Sequence, residues 1–162
     1  MFIYSVRAST VRVIGLMLLV AVLIGVVVLS GEGATVSAAS DAVTVDYSGV
    51  KSAEDRLEFM RGFGIEADAA SEVAEEFRMP ENFDRVIAGY NELQKKQGLD
   101  LLKYKNKRVT RYTYKVTNYK CDGEVYANLF IYRGKVVACD LTNADTGGFV
   151  IPMTLVSRDS LK

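Results

Sequence analysis

The chain contains no histidine. That removes Ser-His-Asp and Cys-His catalysis, zinc held by imidazole, and proton shuttling through a ring nitrogen. Its two cysteines, Cys121 and Cys139, are too few for a four-thiolate zinc site. An excess of charge is missing as well, because 20 basic residues face 20 acidic ones. Without a net basic face to neutralise phosphates, no nucleic-acid partner is expected. What survives is carboxylate, lysine, tyrosine or lone-thiolate chemistry, or no chemistry at all, and no cofactor or metal is expected. With 49% hydrophobic and 25% charged residues the chain is not disordered by composition.

Charge is also absent from residues 13–29, a continuous apolar run behind Arg7 and Arg12. Extended through Gly31, it approaches the roughly twenty residues that span a bilayer core, and it exceeds the usual secretory signal core. A signal anchor is therefore expected at 13–31, with a cytoplasmic n-region at 1–12. The first basic residue beyond the run is Lys51, behind Glu32, Asp41 and Asp46, so the positive-inside rule places the remainder outside the cytoplasm. The alternative is a secreted protein cleaved near Ala38, after the small-residue pattern Val36-Ser37-Ala38. No cysteine follows the run to accept a lipid. Residues 32–50, rich in Gly, Ala, Ser and Thr, read as a flexible spacer. An extracytoplasmic domain over 51–155 and a tail over 156–162 complete the division.

Within that domain the patterning predicts an α+β fold: an N-terminal transmembrane helix, then two helices packed on a small antiparallel sheet with a C-terminal three-stranded meander. Ser52, with Asp55 three residues on, opens a first helix carrying Ala53, Leu57, Met60 and Phe63 on one stripe, and Gly64 stops it. Residues 74–79, ending at Pro80, read as a short strand, although the alanines nearby also suit a helix. Phe83, Val86, Ile87, Tyr90, Leu93, Gln94 and Gln97 recur at helical spacing up to Gly98. Strands then follow at 108–118, 124–132 and 135–141, the last two joined by Arg133-Gly134.

The stretch MPENFDRVIAGYNELQKKQGLDLLKYKNKRVTRYTYKVTNY, followed by EVYANLFIYRGKVVACDL and GGF, resembles the domain of unknown function 4830 family of bacterial proteins. The resemblance covers roughly residues 52–153. Its most specific pieces are Tyr90-Asn91-x-x-Gln94, Gln97-Gly98-x-Asp100-Leu101 and Tyr112-x-Tyr114. It implies a small bacterial cell-envelope protein, often with one N-terminal hydrophobic segment. It carries no activity and no catalytic residues.

If Arg133-Gly134 is a two-residue turn, Tyr132 pairs with Lys135, Phe130 with Val137 and Asn128 with Cys139. One sheet face then gathers Tyr112, Tyr114, Val116, Val125, Ala127, Leu129, Ile131, Val136 and Ala138, a core expected beneath the second helix. The other face carries Arg111, Thr113 and Lys115 beside Tyr126, Asn128, Phe130 and Tyr132, then Val137, Cys139 and Leu141. Arg111, Lys115, Tyr126, Asn128, Phe130 and Tyr132 are the candidate binding surface; the commoner arrangement covers such a face with the first helix or the C-terminal tail. The same register puts Cys121 and Cys139 too far apart for a disulfide, and Cys139 reads as a buried structural thiol.

Asn91, Gln94 and Gln97 form a polar cluster on the second helix, suited to a ligand or, more often, to the backbone of the loop at 99–104. Asp145-Thr146-Gly147 resembles an aspartic-protease tripeptide, but no second copy exists, and a glycine turn is the stronger reading. Asp140, Asn143 and Asp145 do not match a calcium loop.

The leading expectation is a non-enzymatic, membrane-tethered extracytoplasmic module that binds a protein, peptide or envelope component. An envelope hydrolase using an Asp in the 140–145 loop and a cystatin-like inhibitor or regulator are the rivals. A carboxylate in a concave, desolvated site would favour the enzyme. An exposed aromatic patch would favour the binding module.

Overall fold

The computed structural model describes residues 45–162 apart from 144, 146 and 147. The apolar run at 13–31 and most of the spacer lie outside the described residues. No helix among the described residues is long and apolar enough to cross a membrane.

Helix α1 spans Ala53–Arg61 and opens on the expected capping box: Ser52 Oγ accepts the Asp55 amide at 3.1 Å, and Asp55 Oδ2 accepts the Ser52 amide at 2.7 Å. A short 3-10 turn leads to strand β1, Val73–Arg78. Helix α2 spans Arg85–Lys95, and its first free amides, those of Val86 and Ile87, are accepted by Asp84. A second 3-10 turn, Leu101–Tyr104, feeds β2 at Arg108–Lys115, β3 at Val125–Tyr132, β4 at Lys135–Asn143 and β5 at Val150–Pro152. All neighbours are antiparallel in the order β1-β2-β3-β4-β5, so the sheet is one continuous meander. The α+β class, the two helices and the three central strands hold. β1 begins one residue before the expected strand, and the brief β5 carries too little alternation to be read from sequence.

The hairpin begins as expected. Arg133 at φ 49° and Gly134 at φ 74° make the tight turn, and Tyr132 faces Lys135. Beyond it the register slips. Ile131 pairs with Val136, but Phe130 pairs with Ala138, leaving Val137 as an extra residue in a β-bulge. Side chains alternate with period two, so one inserted residue moves everything after it to the opposite face. Phe130 therefore does not face Val137, and Asn128 faces Asp140 rather than Cys139. Cys139 and Leu141 join the first face, while Ala138 leaves it for the second.

The helices also exchange the places expected of them. The first face packs under α1, with Met60 among Leu129, Cys139 and Leu141, and Leu57 and Phe63 alongside. The second face packs with Phe83 and Tyr90 of α2 and its approach segment. The reason is the chain path. β1, at the outer edge, lies between the two helices in sequence, and the chain turns round it from one face to the other. A buried arginine fixes the choice for α1: the Arg56 guanidinium lies 3.7 Å above the Tyr112 ring on that face.

The outer edge of β4 is covered along most of its length, which protects it from pairing with another chain. Tyr47 accepts the Val136 amide at 2.8 Å, and the Val50 amide donates to Gly134 at 3.0 Å. Gln94 and Gln97 take the Cys139 backbone, β5 takes residues 140–142, and Phe149 accepts the Asn143 amide at 3.0 Å. Tyr47 and Val50 thus pack against the domain from the end of the 32–50 segment, and buried Leu161 does so from the tail.

Candidate functional site

Between α2 and the second face of the sheet lies a pocket of about 230 Å³. Its walls are apolar: Phe77 and Met79 from the end of β1, Val86 and Ile87 from α2, Leu101 from the 3-10 turn and Phe130 from β3. Its floor is polar and built from three adjacent strands. Asp140 on β4 is 2% exposed. Its Oδ1 accepts Asn128 Nδ2 at 2.8 Å and Thr142 Oγ1 at 2.7 Å, and its Oδ2 accepts the Tyr90 hydroxyl at 2.5 Å. Asn128 is itself held, accepting Thr113 Oγ1 at 2.9 Å. Arg111 on β2 completes the lining, with Nη2 donating to Glu75 Oε2 at 2.7 Å.

Electrostatics set this floor apart. Burial pushes the Asp140 carboxyl above the ordinary aspartate range, against the pull of the Tyr90, Thr142 and Asn128 hydrogen bonds and of the Arg111 charge. Burial likewise drives the Tyr90 phenol well above its usual value, and the Asp140 charge adds to it. A carboxyl whose folded pKa exceeds its unfolded one gives stability that is complete below the unfolded value and is lost as pH rises through the folded value. Asp140→Asn removes that loss. The stability of Asp140→Asn relative to wild type should therefore climb as pH is raised from about 4 towards neutrality. Urea unfolding across that range measures it, and a flat or falling difference would contradict the burial argument.

The structure divides the six surface candidates. Arg111, Asn128 and Phe130 meet at the pocket. Lys115 and Tyr126 lie away from it, both bound to the exposed Glu124. Tyr132 packs edge-on against Tyr104, ring centres 5.6 Å apart. The face is thus not an open aromatic patch: α2 and the 3-10 turn cover it, and the pocket is the space they leave.

The helix amides have structural partners, save that the buried Gln94 Nε2 has none among the described residues. Asn91 Oδ1 accepts the Leu101 amide at 2.7 Å, and its Nδ2 donates to Asp100 at 3.1 Å. Gln94 Oε1 accepts the Cys139 amide at 3.0 Å, and Gln97 Nε2 donates to the Cys139 carbonyl at 2.7 Å. They join α2 to the loop after it and to the edge of β4.

Asp145 is exposed in a turn, its amide donating to Asn143 Oδ1 at 2.8 Å. Its side chain comes so close to Gly123 that an added Cβ there would clash with it. Asp140 and Asp145 are therefore separate features, one a buried floor and the other a loop contact. Cys121 is exposed and Cys139 buried, both free thiols, and desolvation raises the Cys139 thiol far above the nucleophilic range. No cluster of three or more Asp, Glu or Cys suited to a metal forms among the described residues.

Sequence reading missed the site because it missed the bulge. A signal was present. Continued without a bulge, the register after Lys135 puts Asp140 and Thr142 on the same face as Val136, deep in an apolar core. Two polar residues there conflict with the burial rule, and one inserted residue resolves the conflict.

Comparison with known proteins adds a single relationship. No curated protein and no solved structure matches the chain. The family model described as Domain of unknown function (DUF4830) matches residues 59–141, from near the end of α1 to near the end of β4. That span contains Phe77, Tyr90, Arg111, Asn128, Phe130 and Asp140 of the pocket. It covers just over half the sequence, and the chain belongs to the family with Domain of unknown function (DUF4830).

Proposed function

We propose that this protein is a membrane-tethered, extracytoplasmic binding module whose ligand enters the pocket beneath α2. The observation that carries the reading is the combination of apolar walls with a fixed polar floor. Such a cavity buries the body of a small ligand or of one peptide residue and orients it through few polar contacts. The rigidity of the floor supports binding over local motion, since Asp140 is held from β3, β4 and α2 at once.

Filling the pocket tests it. Ile87→Trp places a larger ring at the α2 wall and should abolish binding of a neutral naphthalene dye, read by fluorescence, while thermal unfolding stays near wild type. Equal dye binding in the two proteins would remove the pocket from the reading.

The location has its own test in a natural reporter. Cys121 is exposed and Cys139 buried, so a membrane-impermeant maleimide applied to intact cells should label the protein, and Cys121→Ser should abolish the label. Labelling only after lysis would put the domain on the cytoplasmic side.

The hydrolase reading keeps one supporting observation, the desolvated Asp140 carboxyl in a concave site. It lacks a partner: no second carboxylate among the described residues lines the pocket, and the three hydrogen bonds to Asp140 hold the group in place. A substrate whose turnover disappears in Asp140→Asn would favour it. The cystatin-like reading gains no specific observation, since this sheet packs with one helix at each face.

A further inference from the structure

The pocket floor presents two charged groups that do not neutralise each other. Asp140 has no ion-pair partner among the described residues. Arg111 and Asp140 stand two strands and two residues apart, roughly 12 Å between Cα atoms at ordinary sheet spacings. The Arg111 guanidinium is held by Glu75 on β1, yet both Arg111 and Asp140 line the same cavity, and the Arg111 charge acts on the Asp140 carboxyl.

Each group also has unused capacity. An ionised carboxylate oxygen accepts two hydrogen bonds, and Asp140 Oδ2 accepts only the one from Tyr90. A guanidinium carries five N–H donors. Arg111, with a side chain only 12% exposed, makes one hydrogen bond among the described residues, to Glu75. The floor therefore offers an anionic acceptor and, elsewhere in the lining of the same cavity, cationic donors. Asn128 and Thr142 have their polar atoms engaged and hold the floor rigid.

We infer that the pocket takes an apolar α-amino acid unit, its α-ammonium on Asp140, its neighbouring carbonyl or carboxylate oxygen on Arg111, and its side chain against Phe77, Met79, Val86 and Ile87. The assignment rests on the pocket being a ligand site, as proposed above. A buried carboxylate without a cation is costly, and an ammonium offsets that cost where a hydroxyl or amide does not. The oxygen on the carbon adjoining the ammonium-bearing one gives the Arg111 donors an acceptor. A cavity of about 230 Å³ holds a residue of leucine or phenylalanine size. Two sources carry this chemistry, a free amino acid and the first residue of a peptide.

Titration calorimetry on the full chain in lipid nanodiscs tests it with leucine, leucyl-glycyl-glycine, N-acetyl-leucine and leucinol. N-acetyl-leucine lacks the ammonium and leucinol lacks the carbonyl oxygen. Each should bind about tenfold or more weakly than leucine or the tripeptide, the loss expected for one charge-assisted hydrogen bond. Leucine tighter than the tripeptide identifies a free amino acid as the source, and the reverse order identifies a peptide N-terminus. Asp140→Asn should remove the preference for leucine over N-acetyl-leucine, and Arg111→Gln the preference for leucine over leucinol. The wild-type series decides the matter even if a variant folds poorly. N-acetyl-leucine or leucinol binding as tightly as leucine overturns the assignment of ligand class. With the Ile87→Trp dye result still as expected, the pocket reading survives. No binding by any of the four, together with dye binding indifferent to Ile87→Trp, removes both.

Discussion

Replacing Arg56 with alanine should cost the domain about 3 kcal/mol or more, near the lower end for breaking a buried ion pair. Arg56 is 5% exposed, on the face of α1 that meets the sheet. Its Nε donates to the Tyr114 hydroxyl at 2.7 Å, its Nη2 to Glu72 at 2.8 Å, and its plane covers Tyr112. Tyr114 also donates to the same Glu72 oxygen. Alanine removes the stacked guanidinium and leaves a space under Tyr112. The Glu72 side chain is 28% exposed, so water can reach it once Arg56 is gone, which keeps the cost below that of a wholly buried pair.

The pH dependence of that cost has a definite sign. Burial opposes ionisation of Glu72, but the hydrogen bonds from Arg56 and Tyr114 and the Arg56 charge hold its carboxyl below the ordinary glutamate range. A depressed carboxyl gives stability that is present above the unfolded pKa and is lost as pH falls through the folded one. The gap between wild type and Arg56→Ala should narrow as pH drops below about 4.5. Urea unfolding at neutral and acidic pH measures both effects. A cost under about 1 kcal/mol, typical of an exposed pair, would show that the triad is an ornament of the surface.

Deleting Val137 and Ala138 together should be more severe and abolish folding. Loss of Val137 alone takes out the extra residue of the bulge and leaves every later side chain on its own face. Loss of both takes one residue more, and the adjacent turn has none to give, since Arg133-Gly134 is already a two-residue connection. β4 must then meet β3 with its alternation displaced by one. Asp140 and Thr142 turn into the core beneath α1, while Cys139 and Leu141 turn out of it. An uncompensated buried carboxylate costs several kcal/mol, and the lost burial of Leu141 adds to it. Together they approach the roughly 5–15 kcal/mol that holds a domain folded. Circular dichroism and amide exchange of the double deletion, beside the Val137 deletion for comparison, decide it. A native spectrum with protected β4 amides in the double deletion would mean that the strand slips at little cost.

The two variants probe opposite faces of one sheet, and they mark where sequence reading succeeded and failed. Both helices were legible because their signals are local: a capping box at Ser52, and apolar stripes ending near Gly64 and Gly98. β2 and β3 were legible because their alternation is unbroken, and Arg133-Gly134 announced its own turn. Arg111, Asn128 and Phe130 were assigned to the correct face on that basis. Lys115 and Tyr126 share the alternation but lie beyond the reach of the pocket, since a period of two identifies a face and not a position along it. Asn91, Gln94 and Gln97 were recognised as a cluster on the second helix, although Gln97 stands two residues beyond the end of α2. That two of them hold the Cys139 backbone required knowing that the free edge of β4 comes to lie beside the helix.

The sequence by itself determined the α+β class, the two helices, the hairpin, and the exclusion of every histidine-dependent chemistry, because each follows from composition or from contacts within a few residues. The tertiary structure alone decided which helix covers which face, and it brought Asp140 to the pocket instead of the core. Those outcomes depend on a single inserted residue in β4 and on packing between segments distant in the chain. Local preferences at Val137 are nearly the same with or without the bulge; the burial of Asp140, Cys139 and Leu141 is not, and that difference selects the register.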